Sequence, residues 1–390
     1  MGIPFPAEAS WLEVDAKALA HNAAVFRQIL GPAVRLGGVL KGNAYGHGFA
    51  EVLPLAHAAY DALYTIEARD ALAIRDFESR AGRPRRQVLV LGAVDADEAV
   101  ALARANVDLA LTDAGQARFV PALRAAGVRL RGHIHLDTGL GREGFPVGDL
   151  PAGLDWLPGG RDAVEVAGVL SHFANTEDVT EQTYAAQQLA AFEEGAKKVC
   201  AALALAHPLE RHIAASAAAL LLPQARHDVV RVGISLYGLW PSSETRLSAR
   251  ALLGKVPELR PVLSWRCRSQ LAKWLAAGSF VGYGCTYRCP ERTRIAVLPM
   301  GYADGYPRLL SSRAHALVHG QRCAVLGRVM MNHVVIDVTR AAPKDETVVA
   351  TLLGRDGDEQ VSADQLATWA QTINYEIVTR IGAHLRRVLI

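Results

Sequence analysis

Val34-Arg35-Leu36-Gly37-Gly38-Val39-Leu40-Lys41-Gly42-Asn43-Ala44-Tyr45-Gly46-His47-Gly48 is an apolar run that ends on a lysine and opens into a loop of glycines, a tyrosine and a histidine. A short apolar run bounded by glycines reads as a buried strand followed by a turn. The stretch is a strand that delivers one amine into a loop. Lysine is scarce in this chain, seven against thirty-five arginines, so Lys41 at the end of a buried run is not compositional noise. An amine desolvated by apolar neighbours loses its proton more readily and can serve as a base or form a Schiff base with a carbonyl. A lysine snorkelling from a strand end above a simple turn fits the same letters, and this stretch alone leaves both readings open.

The beat of that stretch repeats along the chain. Trp11–Val14 alternates as a short strand, and Asp15 caps a segment in which Leu19, Ala23, Phe26 and Leu30 recur at helical spacing. Apolar runs then follow at 34–40, 62–66, 88–91, 107–111, 132–136, 164–170, 212–214 and 229–232. Alanine-rich segments of helical period, such as 67–75, 96–105, 115–126 and 182–203, lie between them. Eight strands alternating with helices predict a parallel sheet closed into a (β/α)8 barrel of the TIM type, with a doubly wound open sheet as the competitor. Residues 240–261 break the pattern and read as a crossover. Beyond them the period falls to two, with short runs at 262–267, 294–298, 316–318, 323–326, 334–338 and 348–353, which predicts a mostly β domain. Residues 363–380 alone look helical again. The expected division is a cofactor-binding barrel over 1–245, with residues 1–14 free to pack on the second unit, and a β domain over 246–390.

A barrel gathers functional groups at the C-terminal ends of its strands. Lys41 ends the first run there, Asp137-Thr138-Gly139-Leu140-Gly141-Arg142 follows the fifth, and Ser171-His172-Phe173 the sixth. Ser216 follows the seventh, and Arg231-Val232-Gly233-Ile234 closes the eighth. In the β domain, Val281–Tyr287 and Pro299–Tyr306 each set a tyrosine, Tyr283 and Tyr302, between glycines, which lets backbone approach closely and exposes the phenol.

Composition narrows the possible partners. The 390 residues are 51% hydrophobic, enough for one large core and a smaller one, and the net charge of +3 from 42 basic and 39 acidic residues leaves no electrostatic footprint for nucleic acid. The basic cluster Arg80, Arg83, Arg85 and Arg86 reads as a solvated loop. Five scattered cysteines without C-x-x-C spacing argue for free thiols in a reducing compartment and against a disulfide frame or zinc site, and no metal is expected. Neither a secretory signal nor a membrane span is visible, so the expected location is cytoplasmic.

Together these segments resemble the pyridoxal-phosphate-dependent alanine racemases from about Trp11 onward. The motifs are Lys41-x-Asn43-Ala44-Tyr45-Gly46-His47-Gly48, Asp137-Thr138-Gly139-x-Gly141-Arg142, Ser171-His172-Phe173-Ala174, Arg231-x-Gly233-Ile234-x-x-Tyr237-Gly238 and Gly301–Tyr306, in family order. The resemblance implies an isomerase that interconverts L- and D-alanine through an external aldimine of pyridoxal 5'-phosphate and supplies D-alanine for peptidoglycan. It implies that Lys41 carries the cofactor and acts as the base on one face, with Tyr283 as the base on the other, contributed across a homodimer interface. Tyr45, Ser216, Gly233, Ile234 and Tyr375 would hold the phosphate. Arg231 would face the ring nitrogen with support from His172. Arg142 and the backbone at Met331 would receive the substrate carboxylate, and Tyr302 would line the entrance. The chain departs from the family where a lysine carbamate often braces the active-site arginine: His135 stands there, so an imidazole or a bound anion would have to hold Arg142. It departs again at Met331-Asn332-His333, where Asn332 replaces an aspartate beside the carboxylate site. The rival readings are a racemase of broader or different range, such as serine or basic amino acids, a decarboxylase of the same architecture, and a non-catalytic cofactor carrier.

Overall fold

The structure is a computed structural model that describes residues 9–177, 182–341 and 347–390. Its N-terminal part is the expected barrel. After a first strand, β1 (Ser10–Val14), come β2 (Arg35–Val39), β3 (Ala62–Thr65), β4 (Gln87–Val90), β5 (Asp108–Leu111), β6 (Leu130–Asp137), β7 (Val164–Leu170), β8 (Glu210–His212) and β9 (Val229–Val232). The strands β2 to β9 pair in parallel in the order β9-β2-β3-β4-β5-β6-β7-β8. Asp228 N donates to Arg211 O at 3.1 Å and Arg231 N to Ala214 O at 3.0 Å, which draws β8 to β9 and all but closes the ring. Strands such as β3 and β5 are buried at every residue because helices cover the outside and side chains fill the inside, so they read as continuous apolar runs.

The helices form where the periodicity puts them. Ala16–Leu30 starts on Asp15, whose Oδ1 accepts from Lys17 N at 2.8 Å and Ala18 N at 2.9 Å. Ala68–Arg80, Ala96–Arg104 and Thr183–Ala202 follow in turn. The stretch at 115–126 instead splits into a 3-10 turn, Ala114–Arg118, and a short helix, Phe119–Ala125.

The C-terminal part is mostly sheet: β10 (Leu263–Arg268), β11 (Leu271–Leu275), β12 (Thr293–Leu298), β13 (His315–Val318), β14 (Gln321–Ala324), β15 (Val334–Asp337), β16 (Val349–Asp356) and β17 (Arg386–Leu389). The larger sheet has the order β14-β13-β16-β10-β1-β17, so the first strand of the chain lies between β10, antiparallel, and β17, parallel. A smaller sheet has the order β11-β12-β15. One continuous apolar core runs through both parts, with a satellite of Val281, Cys289, Ile295, Leu326 and Val335 under the smaller sheet.

Two features differ from the sequence reading. The presumed crossover contains a helix, Ser243–Leu253, capped by Ser242 Oγ accepting from Thr245 N at 3.0 Å and ended by Gly254 at φ 69°. Strands β11 and β17 have no apolar run: β11 faces solvent and carries Lys273 and Trp274, and β17 opens on Arg386, which is exposed, and Arg387, which is buried. Among the described residues, no helix is long and apolar enough to cross a membrane.

Candidate active site

Side chains alternate along a strand, so one parity looks into the barrel. That parity takes Val39 and Lys41 from β2 and its end, His133, His135 and Asp137 from β6, and Arg231 and Gly233 from β9 and its end. At the C-terminal end of the barrel Val39, Lys41, His135, Arg231 and Gly233 open on a cavity of about 690 Å³. The cavity gathers Lys41, Tyr45, Arg142, His172, Ser216, Arg231, Gly233, Ile234 and Tyr375. All nine were picked from the sequence.

Lys41 is aimed by an unusual turn. Gly42, Asn43, Ala44 and Tyr45 all adopt left-handed backbone, with φ of 61°, 54°, 53° and 54°. Each non-glycine residue in that region costs about 1–2 kcal/mol, so the turn needs outside support. Ala44 N donates to Leu40 O at 2.9 Å, Gly48 N to Asn43 O at 3.0 Å and Phe49 N to Asn43 Oδ1 at 2.7 Å. His47 Nδ1–H donates to Tyr45 O at 2.9 Å, and Arg387 Nη2 reaches Gly46 O at 2.9 Å. Gly46, at φ 80°, admits no side chain, because a Cβ would lie 1.8 Å from Val378 O in the helix Asn374–Thr379. The C-terminal part thus presses the turn into place.

Around Lys41 the field is positive. Burial, and then the charges of Arg142 and Arg231, lower the pKa of Lys41, with Glu143 opposing. Desolvation followed by Arg231 and Arg142 takes His135 and His172 to about 3, so both are neutral imidazoles at pH 7. Arg142 Nη2 donates to Glu143 Oε1 at 2.9 Å. A carboxylate therefore accompanies Arg142 after all, supplied by its neighbour, a residue the sequence reading did not name. His135 Nδ1 is buried with no hydrogen-bond partner among the described residues.

At the other end the cavity is lined by hydroxyls. Ser216 Oγ accepts from Gly233 N at 3.1 Å. The Tyr45 ring packs against Tyr237 and Tyr375 at 5.2 Å and 6.3 Å between centroids. Burial raises the pKa of Tyr45 and Tyr375, which keeps both phenols protonated as donors.

Arg231, buried at the barrel axis, is held differently from expectation. Its Nη1 donates to His212 Nδ1 at 2.8 Å and His212 O at 2.7 Å, and its Nη2 to Ser171 O at 2.6 Å and Ile213 O at 3.3 Å. His172 makes none of these bonds; His212, one strand over, supports Arg231. Burial lowers the guanidinium to about 10, so it remains charged. His212, His133 and Asp108 escaped the sequence reading because each sits inside an apolar run. The signal available was parity: His133 and His135, two apart on one strand, must face the same way.

Tyr283, Tyr302, Met331 and Asn332 are not in the cavity. They lie on a face of the C-terminal part, with Tyr283 72% and Met331 56% exposed. Tyr302 N donates to Met330 O and Ala303 N to Met331 O, both at 3.0 Å, and a Cβ on Gly282 would touch Met330 Cε at 3.4 Å. The three loops therefore adjoin.

Comparison with known proteins covers nearly the whole chain. Residues 14–241 match the family "Alanine racemase, N-terminal domain" and residues 262–389 the family "Alanine racemase, C-terminal domain". The alanine racemase of Leptospira interrogans is 36% identical over 98% of this chain and 96% of its own. That of Symbiobacterium thermophilum is 38% identical over 97% and 96%. The crystal structure of alanine racemase from Bacillus anthracis with bound L-Ala-P superposes with a TM-score of 0.87, at 32% identity, over 98% of this chain and 95% of that one. A histidine racemase from Leuconostoc mesenteroides superposes with a TM-score of 0.83, at 27% identity, over 98% of each chain.

Proposed function

The chain belongs to the alanine racemase family, and from that premise we propose that it interconverts L- and D-alanine with pyridoxal 5'-phosphate held in the barrel-mouth cavity. The donor set fits that cofactor. Hydroxyls of Tyr45, Ser216 and Tyr375 and the backbone at Gly233 and Ile234 form a cradle suited to a phosphate, so close that a Cβ on Gly233 would meet Tyr45 Oη at 2.2 Å. In the same cavity, Lys41 is the amine for the aldehyde carbon, and Arg231 is a donor-only group for the ring nitrogen. That one cavity holds all three partners is the observation that carries the reading.

Bound there, the cofactor withdraws electrons from the α-carbon of an attached amino acid and acidifies its proton. The protein's residues do the rest. Lys41 would be the base on one face, and its lowered pKa leaves more of it as the free amine that can accept a proton. Racemisation needs a second base opposite, and Tyr283 is that group. Its exposure on the C-terminal face, clear of its own chain's cavity, supports delivery into the cavity of a second copy in a homodimer. Met331, Tyr302 and Asn332 adjoin Tyr283 and would arrive with it, Met331 offering its backbone to the substrate carboxylate beside Arg142. Arg231, always a donor, would face the ring nitrogen and keep it unprotonated, which would make the cofactor a weaker electron sink. Five free cysteines are consistent with a cytoplasmic location.

The test is incubation of the holoenzyme with L-alanine in D2O. Loss of optical rotation with α-deuteration is expected; release of carbon dioxide instead, or no exchange, overturns the reading. The histidine racemase neighbour supports a second reading, a wider substrate range, and the same assay with L-histidine and L-serine checks it.

A further inference from the structure

Beneath Arg231 a line of buried polar side chains runs down the barrel axis. It begins with a residue that can only donate, and this fixes every proton in it. Arg231 Nη1 lies 2.8 Å from His212 Nδ1, so that nitrogen accepts and carries no proton. The proton of His212 is then on Nε2, 2.9 Å from His133 Nδ1, which must also accept. The proton of His133 is therefore on Nε2, 3.2 Å from Asp108 Oδ2. Reversing any link would set two protons or two lone pairs face to face between imidazoles with no exposure at all.

The far end is anchored. Gln87 Nε2 donates to Asp108 Oδ2 at 3.0 Å and to Glu210 Oε1 at 3.2 Å, and Arg35 Nη1 donates to Gln87 Oε1 at 2.9 Å and pairs with Glu210. Burial works to raise the Asp108 pKa, but hydrogen bonds from His133 and Gln87 outweigh it and keep the acid ionised as the terminal acceptor. The fold also makes room for the line: a Cβ on Gly168 of β7 would lie 2.3 Å from His133 Nδ1. His133, Glu210 and His212 have donor atoms within 4.8 Å of one another, which is the outline of a metal site. Their facing nitrogens already share a proton, however, and a divalent cation there would sit between the Arg35 and Arg231 guanidiniums.

We propose that His133 and Asp108 are positioning residues for the racemase site: they fix His212 as its Nε2-protonated tautomer, so that Nδ1 holds the Arg231 guanidinium in the cavity. The proposal rests on the reading that Arg231 faces the cofactor ring. Without the line, Arg231 alone opposes a proton on His212 Nδ1, and the hydrogen bond that aims the guanidinium is weakened.

Long-range 1H–15N correlation spectra of 15N-histidine-labelled holoenzyme at pH 7 test the tautomers directly, with assignment by loss of one ring in His133→Gln. Both His133 and His212 should be protonated at Nε2 only. A proton on Nδ1 of either ring, or an imidazolium, overturns the proposal. His133→Leu should lower kcat for alanine about tenfold, the worth of one hydrogen bond to a charged group, with KM changed less than about twofold. His133→Gln, which can accept through Oε1 and donate through Nε2, should recover most of that loss. A Leu variant with wild-type kcat, or equal impairment of both, overturns it. If the Leu variant does not fold, the wild-type tautomers and the Gln variant still decide. Correct tautomers in a protein that exchanges no amino acid would leave the line standing and defeat the functional reading instead.

Discussion

The Tyr45 hydroxyl occupies the space that a side chain on Gly233 would need: a Cβ there would fall 2.2 Å from Oη and 2.8 Å from Cζ. Tyr45 has no retreat, since its ring is stacked near Tyr237 and Tyr375 and its backbone is locked at φ 54°. Gly233→Ala should therefore displace the phenol and loosen the cradle. Overpacking of this kind costs about 1–3 kcal/mol, which corresponds to roughly a tenfold to hundredfold weaker affinity for pyridoxal phosphate. An absorbance titration of apoprotein checks it.

Lys41 should react with a carbonyl at lower pH than an ordinary lysine. Burial, Arg142 and Arg231 all disfavour its ammonium form, so the neutral amine appears before the usual value of about 10.4. Borohydride trapping of pyridoxal phosphate across a pH series should show a midpoint below that value, and Lys41→Ala should trap nothing there. Because Glu143 opposes the shift, Glu143→Gln should move the midpoint further down. A profile at the free-lysine value would count against a desolvated amine.

If Tyr283 serves the cavity of a second copy, two dead enzymes should make a live one. Lys41→Ala and Tyr283→Ala, mixed and refolded together, give hybrids with one complete site. Random pairing predicts about a quarter of wild-type racemisation. No recovery in the mixture would place both groups within one chain's site.

The neutral buried histidines predict the response to acid. Burial holds His47 at about 4 and His135 at about 3, whereas in the unfolded chain each titrates near 6.5. Between those values the unfolded state binds protons that the folded state refuses. Their contribution to stability is thus complete above about pH 6.5 and is lost as pH falls, by about 1.4 kcal/mol per pH unit for each histidine. Urea unfolding of apoprotein between pH 7 and 5 should show that loss, and His135→Gln should flatten the slope by one proton.

The barrel was open to reading from the sequence because most of its strands are buried on both faces and so write apolar runs, from Arg35–Val39 to Val229–Val232, whereas Glu210–His212 is polar and overlaps the run at 212–214 by one residue. Edge and solvent-facing strands left weaker traces. Leu271–Leu275 and Arg386–Leu389 carry charges and an exposed tryptophan, and nothing in their letters demands a sheet. Residues on the cavity rim stood out because they interrupt apolar runs with glycines and titratable groups. His133 did not, because it lies inside such a run, nor did His212, which only begins one, and the bond between them joins strands 79 residues apart. Glu143 was missed for a simpler reason: one more charge beside Arg142 looks like ordinary surface.

The position of Ser10–Val14 sets an order of events during synthesis. This strand leaves the ribosome before the barrel, yet its neighbours in the sheet are Leu263–Arg268 and Arg386–Leu389, both of which emerge after it. The barrel can assemble while the remainder of the chain is still being translated, with the opening strand left as an unpaired apolar ribbon for some 250 residues. Only when Arg386–Leu389 has emerged can it pair on both sides. The same strand brings Arg387 onto Gly46 O, so the turn that aims Lys41 gains this support only after the barrel has been made.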